Sequence, residues 1–418
     1  MPTHANNDHR WLLWVLAVAM LSLQNMEVLT VGSLADNLAN SLEITDAQVG
    51  AIFGAYALFY ALMNIPAGLA FGRFKATHIL ALACALFAAG NLIFASAETT
   101  AMAYTGRMLT GVGGGLFFLG YVAISAASFS PALFATMFGV CQLVKFLLAM
   151  LVLALMPLFF QLGGDWRIYF YFVGLIFLPF IPILLWAGRS LPDPESPAGA
   201  DRLRSIWNDL VEVCRDPQIL RIVLIGFLAS AGVMAFGGLW YLPFAQDTGF
   251  PSRDADNLDS LLMLCLGLGM TAAGWLSDRL QRRKVLLVIG LVMTALSMLG
   301  LILWVDPPLV VEAVLVTVMA VSGAAYFVLL YVMTKESVPA RLATAASGVV
   351  NTAVYVGLAL QQYLPGWILN VSGAPDRGAA HTPVLDYQIA LMIYPPAVLI
   401  SLLFAWTLRE TGSNAERL

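Results

Sequence analysis

The chain has 418 residues, 60% of them hydrophobic and 11% charged, with 21 Lys and Arg against 25 Asp and Glu. A water-facing domain carries roughly a quarter charged residues, so this composition excludes an ordinary soluble protein and makes lipid the solvent for much of the surface. The net charge of −4 leaves no concentrated basic surface for nucleic acid, and Cys84, Cys141, Cys214 and Cys265, far apart and without a CxxC, predict neither a disulfide framework nor a metal site.

A helix needs about 20 apolar residues to cross the hydrocarbon core. Twelve such runs, bounded by charge, Pro or Gly, lie at 11–34, 47–70, 77–96, 101–126, 133–160, 167–188, 219–245, 257–277, 284–305, 309–333, 343–371 and 384–408. The first follows Arg10 and runs on through Val28, Leu29 and Val31 with no A-x-A-like site after it, which predicts a span and not a secretory signal. The longest polar interruption, Arg189 to Gln218, opens with the Pro-rich stretch Leu191–Pro197. It divides the chain into an N-terminal six-helix bundle (1–188), a cytoplasmic linker (189–218) and a C-terminal six-helix bundle (219–418). In the linker, Leu203, Ile206, Trp207, Leu210 and Val213 share one helical face with Asp209 and Glu212 opposite, predicting an amphipathic helix on the inner membrane surface. Sixteen basic residues fall between spans on the side that holds Arg10, and Arg167, Arg253 and Arg377 on the other. By the positive-inside rule both termini are then cytoplasmic.

Sliding one half over the other reveals a weak repeat. Gly68-Leu-Ala-Phe-Gly-Arg73-Phe-Lys75, after the second span, aligns with Gly274-Trp-Leu-Ser-Asp278-Arg279-Leu-Gln-Arg282-Arg283-Lys284, after the eighth, at a constant offset of 206. The second copy resembles the G-x-L-[AS]-D-R-x-x-R-R-K loop of the major facilitator superfamily with every key residue present. In the first copy Gly72 stands where the acid belongs, and Ala76 and Thr77 where basic residues belong. Arg107 with Gly111 resembles the family's fourth-span R-x-x-x-G motif, and Gly164-Asp-Trp-Arg167 its G-x-W-R motif before the sixth span. The Gly-Pro motif of many antiporters is missing from the fifth span, which reads Val140-Cys-Gln-Leu-Val-Lys145. The resemblance implies an all-α membrane protein of twelve transmembrane helices in two pseudo-symmetric six-helix halves that alternate about a midplane site. It also implies a gate at Gly274, Asp278, Arg279 and Arg282, with Asp278 engaging the start of the fifth span when the cytoplasmic side is closed. The physical logic is that the glycine lets helices approach, the acid complements a helix N-terminus, and the basic run holds the turn at the inner leaflet. A purely topogenic role for Arg282, Arg283 and Lys284 is the other reading.

Charges inside the membrane cost at least about 2.5–3.5 kcal/mol each on insertion scales, so each needs a partner or a wet cavity. Glu27, the only acid well inside a predicted span, and Arg107 arrive at similar depth from opposite directions. They are the proton-coupling candidates: pairing keeps the carboxylate ionised, and loss of the arginine lets it take a proton. A static ion pair is the plain alternative. Lys145 shares a face with Gln142. Arg107 and Lys145 against Glu27 leave one positive charge unbalanced, which an anionic substrate fits; a Lys145 that snorkels or pairs with a backbone carbonyl is the plain alternative. Ser347, Asn351, Tyr355 and Gln362 form a polar stripe on the eleventh span; it serves either substrate oxygens or helix–helix hydrogen bonds. The substrate candidates are therefore Arg107, Gln142, Lys145, Asn351 and Tyr355. Tyr56, Tyr60, Trp240, Tyr241, Tyr326 and Tyr331 either line a cavity or pack. The glycines around Arg107 lack the lysine of a phosphate loop, and His4, His9, His78 and His381 form no HExxH. No cofactor, metal or enzymatic constellation is expected. The sequence thus predicts a monomeric secondary transporter of the bacterial inner membrane, in contact with lipids, moving a small organic anion by proton symport. Proton-coupled efflux of a drug-like or amphiphilic compound is the rival.

Overall fold

A computed structural model describes residues 7–44, 46–129, 131–190, 200–371 and 383–411. Arg377, His4, His381 and the Pro-rich stretch Leu191–Pro197 lie outside them. Among the described residues there are helices and no strands. Twelve helices among the described residues are long and apolar enough to cross a membrane. In chain order, α1 is Asn7–Leu42, α2 Asp46–Phe71, α3 Ala76–Ala95, α4 Thr100–Ser128, α5 Pro131–Gln161 and α6 Trp166–Ala187. The linker helix α7 is Ala200–Arg215. Then come α8 (Pro217–Asp247), α9 (Ser252–Leu280), α10 (Arg283–Leu303), α11 (Leu309–Ser337), α12 (Ala343–Val371) and α13 (Val384–Trp406). The eighth span starts five residues before its apolar run because the helix begins directly after Pro251 and carries Asp254, Asp256 and Asp259 in its first two turns. Leu147, Leu151, Leu155 and Leu158 of α5 are exposed at three- and four-residue spacing, a stripe that only hydrocarbon would cover without penalty.

The chain packs as two compact units, one of Met1–Pro131, Val144–Val213 and Ala340–Val349, the other of Ala132–Leu143, Cys214–Pro339 and Val350–Leu418. In the first, α3 and α4 cross at glycine distance: a Cβ on Gly106 would lie 2.8 Å from the Gly90 carbonyl oxygen, and one on Gly90 2.6 Å from the Thr110 nitrogen. In lipid, such close backbone approach is a main source of helix association. Thr99 caps α4 by accepting from the Met102 amide at 3.3 Å, and Asp165 caps α6 by accepting from Arg167. Arg167 itself donates to the carbonyls of Ala95 and Ala97 at 2.9 and 2.7 Å, so the G-D-W-R motif ties α6 to the end of α3.

In the second unit, α8 carries two π-helical turns, Gly226–Ser230 and Phe236–Trp240. A π turn disturbs the regular ladder and leaves backbone carbonyls available to other donors. Gln361 donates to Phe227 and Leu228 oxygens at 2.8 and 3.2 Å, and the Tyr326 hydroxyl to the Ala229 oxygen at 2.9 Å. Trp240 donates to the Gln362 carbonyl at 3.1 Å. Two of the aromatic cavity candidates therefore serve backbone carbonyls.

Candidate functional site

The first unit holds a buried ion pair. Glu27 of α1 and Arg107 of α4 are both sealed from solvent, and an Arg107 guanidinium nitrogen donates to Glu27 Oε1. Asn91 of α3 donates to Glu27 Oε2 at 3.2 Å and to its own Phe87 carbonyl at 3.0 Å. The guanidinium lies over the rings of Tyr56 (4.8 Å), Phe94 (5.5 Å), Phe53 (5.7 Å) and Phe170 (5.9 Å). A weakly hydrated planar cation suits such a box, since ring faces offset part of its lost hydration. The Nε of Arg107 has no hydrogen-bond partner among the described residues. About one turn to either side of Glu27 on α1, Thr30 shares a 2.6 Å hydrogen bond with Tyr169, and Gln24 donates to the Tyr56 hydroxyl. Asn91 was not singled out from the sequence; a lone amide inside the apolar third span was the available signal.

The second unit holds the motif loop. Asp278 Oδ2, at the end of α9, accepts from the Thr136 amide at 2.7 Å and its hydroxyl at 2.8 Å, in the first turns of α5. The carboxylate thus engages the second turn of α5, toward its N-terminal end. Gly274 lies against the Ala135 carbonyl, with no room for a Cβ. The motif's basic residues divide. Arg282 is exposed and Arg279 stacks on Trp275 at 5.4 Å. Arg283 is fully buried; it donates to Asp278 Oδ1 at 3.1 Å and Glu336 Oε1 at 3.0 Å, and to Ser277 at 2.5 Å. The sequence pattern does not separate Arg282 from Arg283, because which one turns inward depends on the left-handed Gln281 (φ 52°) that ends α9. Glu410 closes the cluster by accepting from the amides of Arg283 and Lys284 at 2.7 and 3.2 Å.

On α5, Gln142 is fully buried and neither amide atom has a hydrogen-bond partner among the described residues. Lys145, one turn on, is half-buried, with its ammonium 5.0 Å from the Phe146 ring. On α12, Asn351 is buried and accepts from the Tyr331 hydroxyl at 2.5 Å, while Tyr331 stacks on Phe138 at 5.4 Å. Tyr355 is half-buried, and Ser347 turns back onto its own helix at Ala343. A second buried acid escaped the sequence reading. Glu312, in the first turn of α11, accepts from the Tyr241 hydroxyl at 3.1 Å, and its other oxygen has no partner among the described residues. It lies inside the predicted 309–333 span, four residues after Pro308. No cluster of three His, Cys, Asp or Glu suited to a metal occurs among the described residues.

The family model described as Major Facilitator Superfamily matches residues 13–255 and 222–417. Among curated proteins, the "Putative multidrug resistance protein MdtD" of Klebsiella pneumoniae subsp. pneumoniae is 31% identical over 107 residues, 26% of this chain and 22% of that one. The protein of the same name from Enterobacter sp. (strain 638) is 28% identical over 114 residues, 27% of this chain and 24% of its own. These alignments span less than a quarter of the curated relatives' length. Among solved structures, the proton:xylose symporter XylE bound to 6-bromo-6-deoxy-D-glucose superposes with a TM-score of 0.74 at 15% identity, covering 99% of both chains. FucP in the outward conformation superposes with a TM-score of 0.71 at 14% identity, covering 94% of this chain and 99% of its own. Identities this low speak to fold alone. With the family model matched from residue 13 to residue 417, the chain belongs to the Major Facilitator Superfamily of secondary transporters.

Proposed function

We propose that this protein takes up a small organic anion with a proton by alternating access, as a monomer in the bacterial inner membrane with both termini cytoplasmic. The observation that carries the reading is the sealed Glu27–Arg107 pair with Asn91 as its third member. An acid that has one arginine and one amide for company, inside an aromatic box, changes state when the arginine turns elsewhere. An anionic substrate gives Arg107 that second option. When Arg107 engages it, Glu27 is released to accept a proton, and protonation in turn frees the arginine for substrate; the two binding events then favour each other. Gln142 and Lys145 supply an amide and an ammonium one turn apart on α5, with the Gln142 amide lacking partners among the described residues. Asn351 and Tyr355 of α12 offer hydrogen bonds to substrate oxygens. Gly274, Asp278, Arg279, Arg282 and Arg283 form the gate, with Asp278 on the first turns of α5 as its closing contact.

Proton-coupled efflux of an amphiphilic compound is the second reading, favoured by the likeness of about a quarter of the chain to a putative multidrug resistance protein. Proteoliposomes separate the two. An inward proton gradient should drive accumulation of a carboxylate- or sulfonate-bearing solute in the parent, and Glu27→Gln should abolish accumulation while retaining exchange at equal concentrations. Accumulation of lipophilic cations under the opposite gradient, with no anion moved, would transfer the assignment to efflux.

A further inference from the structure

The first-half motif has lost its acid, and the linker helix stands where that acid's work would be done. Within the first unit, Asp209 of α7 accepts from Arg73, the surviving arginine of the first-half motif, and from Arg341 at 2.6 Å, just before α12. Glu212, one turn along α7, takes the other Arg341 nitrogen at 2.9 and 2.8 Å. The Arg73–Asp209 end of this chain of charges is sheltered, at 7% and 14% exposure, whereas Arg341 and Glu212 are 54% and 50% exposed. The polar face of the amphipathic helix is therefore docked onto the α2–α3 turn and the start of α12. Trp207, on the expected apolar face, is 65% exposed.

The second unit supplies the comparison. There, Asp278 joins the end of α9 to the start of α5, with Gly274 setting the close approach. In the first unit, Gly68 likewise sets a close approach of α2 to α12: a Cβ on it would fall 2.6 Å from the Thr344 carbonyl oxygen. At Gly72, where the motif acid belongs, a Cβ would come within 3.2 Å of the Arg341 carbonyl oxygen, a tight fit for any side chain. The geometry is that of the motif, with the carboxylate missing from its usual backbone position. We infer that Asp209 is a positioning residue of the transport cycle: it supplies in trans, from the linker helix, the carboxylate that Gly72 lacks, and holds the α2–α3 turn to the start of α12 until the gate opens.

The contact differs in kind from the one at Asp278. Asp278 binds the second turn of α5 through backbone and hydroxyl donors, whereas Asp209 binds two arginines, one of them half in water. Salt screens exposed ion pairs far more than buried hydrogen bonds, so the first-unit latch is the salt-sensitive one. The inference rests on the alternating-access part of the proposed function and is independent of which solute or ion moves.

The test uses the full chain in lipid nanodiscs with exposed Cys214 replaced by serine and spin labels at His78→Cys and Ala340→Cys, at the two ends held by Asp209. The parent should give mainly one short distance. Asp209→Asn should raise the population of a longer distance about fivefold or more, in the range of coupling between contacting charges, and Asp209→Glu should stay near the parent. Added salt should move the parent toward the Asn variant and leave that variant unchanged. If Asp209→Asn does not survive purification, Arg341→Ala, which truncates an exposed side chain, should yield the same longer distance. Distributions identical in parent, Asp209→Asn and Arg341→Ala at low and high salt would overturn the inference. Because no solute is present, loss of proton-driven uptake in Glu27→Gln has no bearing on this result.

Discussion

Glu27→Gln removes one charge from a pair that is sealed on every side. Breaking a buried pair by deleting one partner typically destabilises by about 3–5 kcal/mol, because the remaining charge is left without compensation. Here the remaining charge is Arg107, which cannot shed its proton. Four rings lie within 6 Å of the guanidinium and offset part of the loss, by up to about 2 kcal/mol in a desolvated setting. The glutamine carbonyl also keeps one neutral acceptor, worth about 1 kcal/mol. The expected cost is therefore near the lower limit, about 3 kcal/mol, or roughly a 150-fold change in the folding equilibrium. Arg107→Gln should cost less, since a stranded carboxyl group can neutralise itself with a proton. The double variant should be more stable than either single one, because it strands no charge. Unfolding by SDS in mixed micelles, followed by the fluorescence of the ten tryptophans, gives the order. The expected ranking is parent, double variant, Arg107→Gln, Glu27→Gln. Single variants as stable as the parent, or a double variant no better than the worse single one, would refute the reasoning.

Asp278→Asn removes charge-assisted hydrogen bonds to Thr136, each worth about 1.5–3 kcal/mol, and should raise labelling of Met137→Cys by an impermeant cytoplasmic-side thiol reagent about tenfold; unchanged labelling would leave Asp278 without a gating role. Lys145→Ala should weaken an anionic ligand far more than a neutral analogue of the same shape, with lysine-to-arginine replacement restoring part of the binding, and equal losses for both ligands would make Lys145 structural. Tyr241→Phe removes the hydroxyl that serves Glu312 and should cost about 1–3 kcal/mol, the penalty of an unsatisfied buried acceptor; it is read by the same SDS titration, and a neutral result would mean that water reaches the carboxylate.

Hydropathy made the twelve spans legible because lipid permits few other solutions, and the motif at Gly274–Lys284 carried the family. Depth counting also brought Glu27 and Arg107 to one level, and the structure joins them. What a linear reading lacks is azimuth and packing. Arg283 rather than Arg282 reaches Asp278 because the αL residue Gln281 re-aims the chain between α9 and α10. Glu312 stands only four residues into its apolar run, and burial against Tyr241 comes from packing that hydropathy does not carry. The π turns of α8 have no hydropathic signature, since the carbonyls they expose are satisfied by Gln361 and Tyr326 from distant sequence. The linker helix was predicted as amphipathic from its own residues, but its docking depends on Arg73 and Arg341, which lie 136 and 132 positions away from Asp209.

The central claim is that anion binding and protonation of Glu27 favour each other. The direct measurement is proton uptake on adding a transported anion to the purified protein in weakly buffered solution with a pH-sensitive dye, with binding followed in parallel by titration calorimetry. The parent should take up about one proton per bound anion, as linkage between two such sites requires, and Glu27→Gln should bind the anion with no proton uptake. Undiminished uptake in Glu27→Gln, or anion binding by the parent without any proton, would contradict the account.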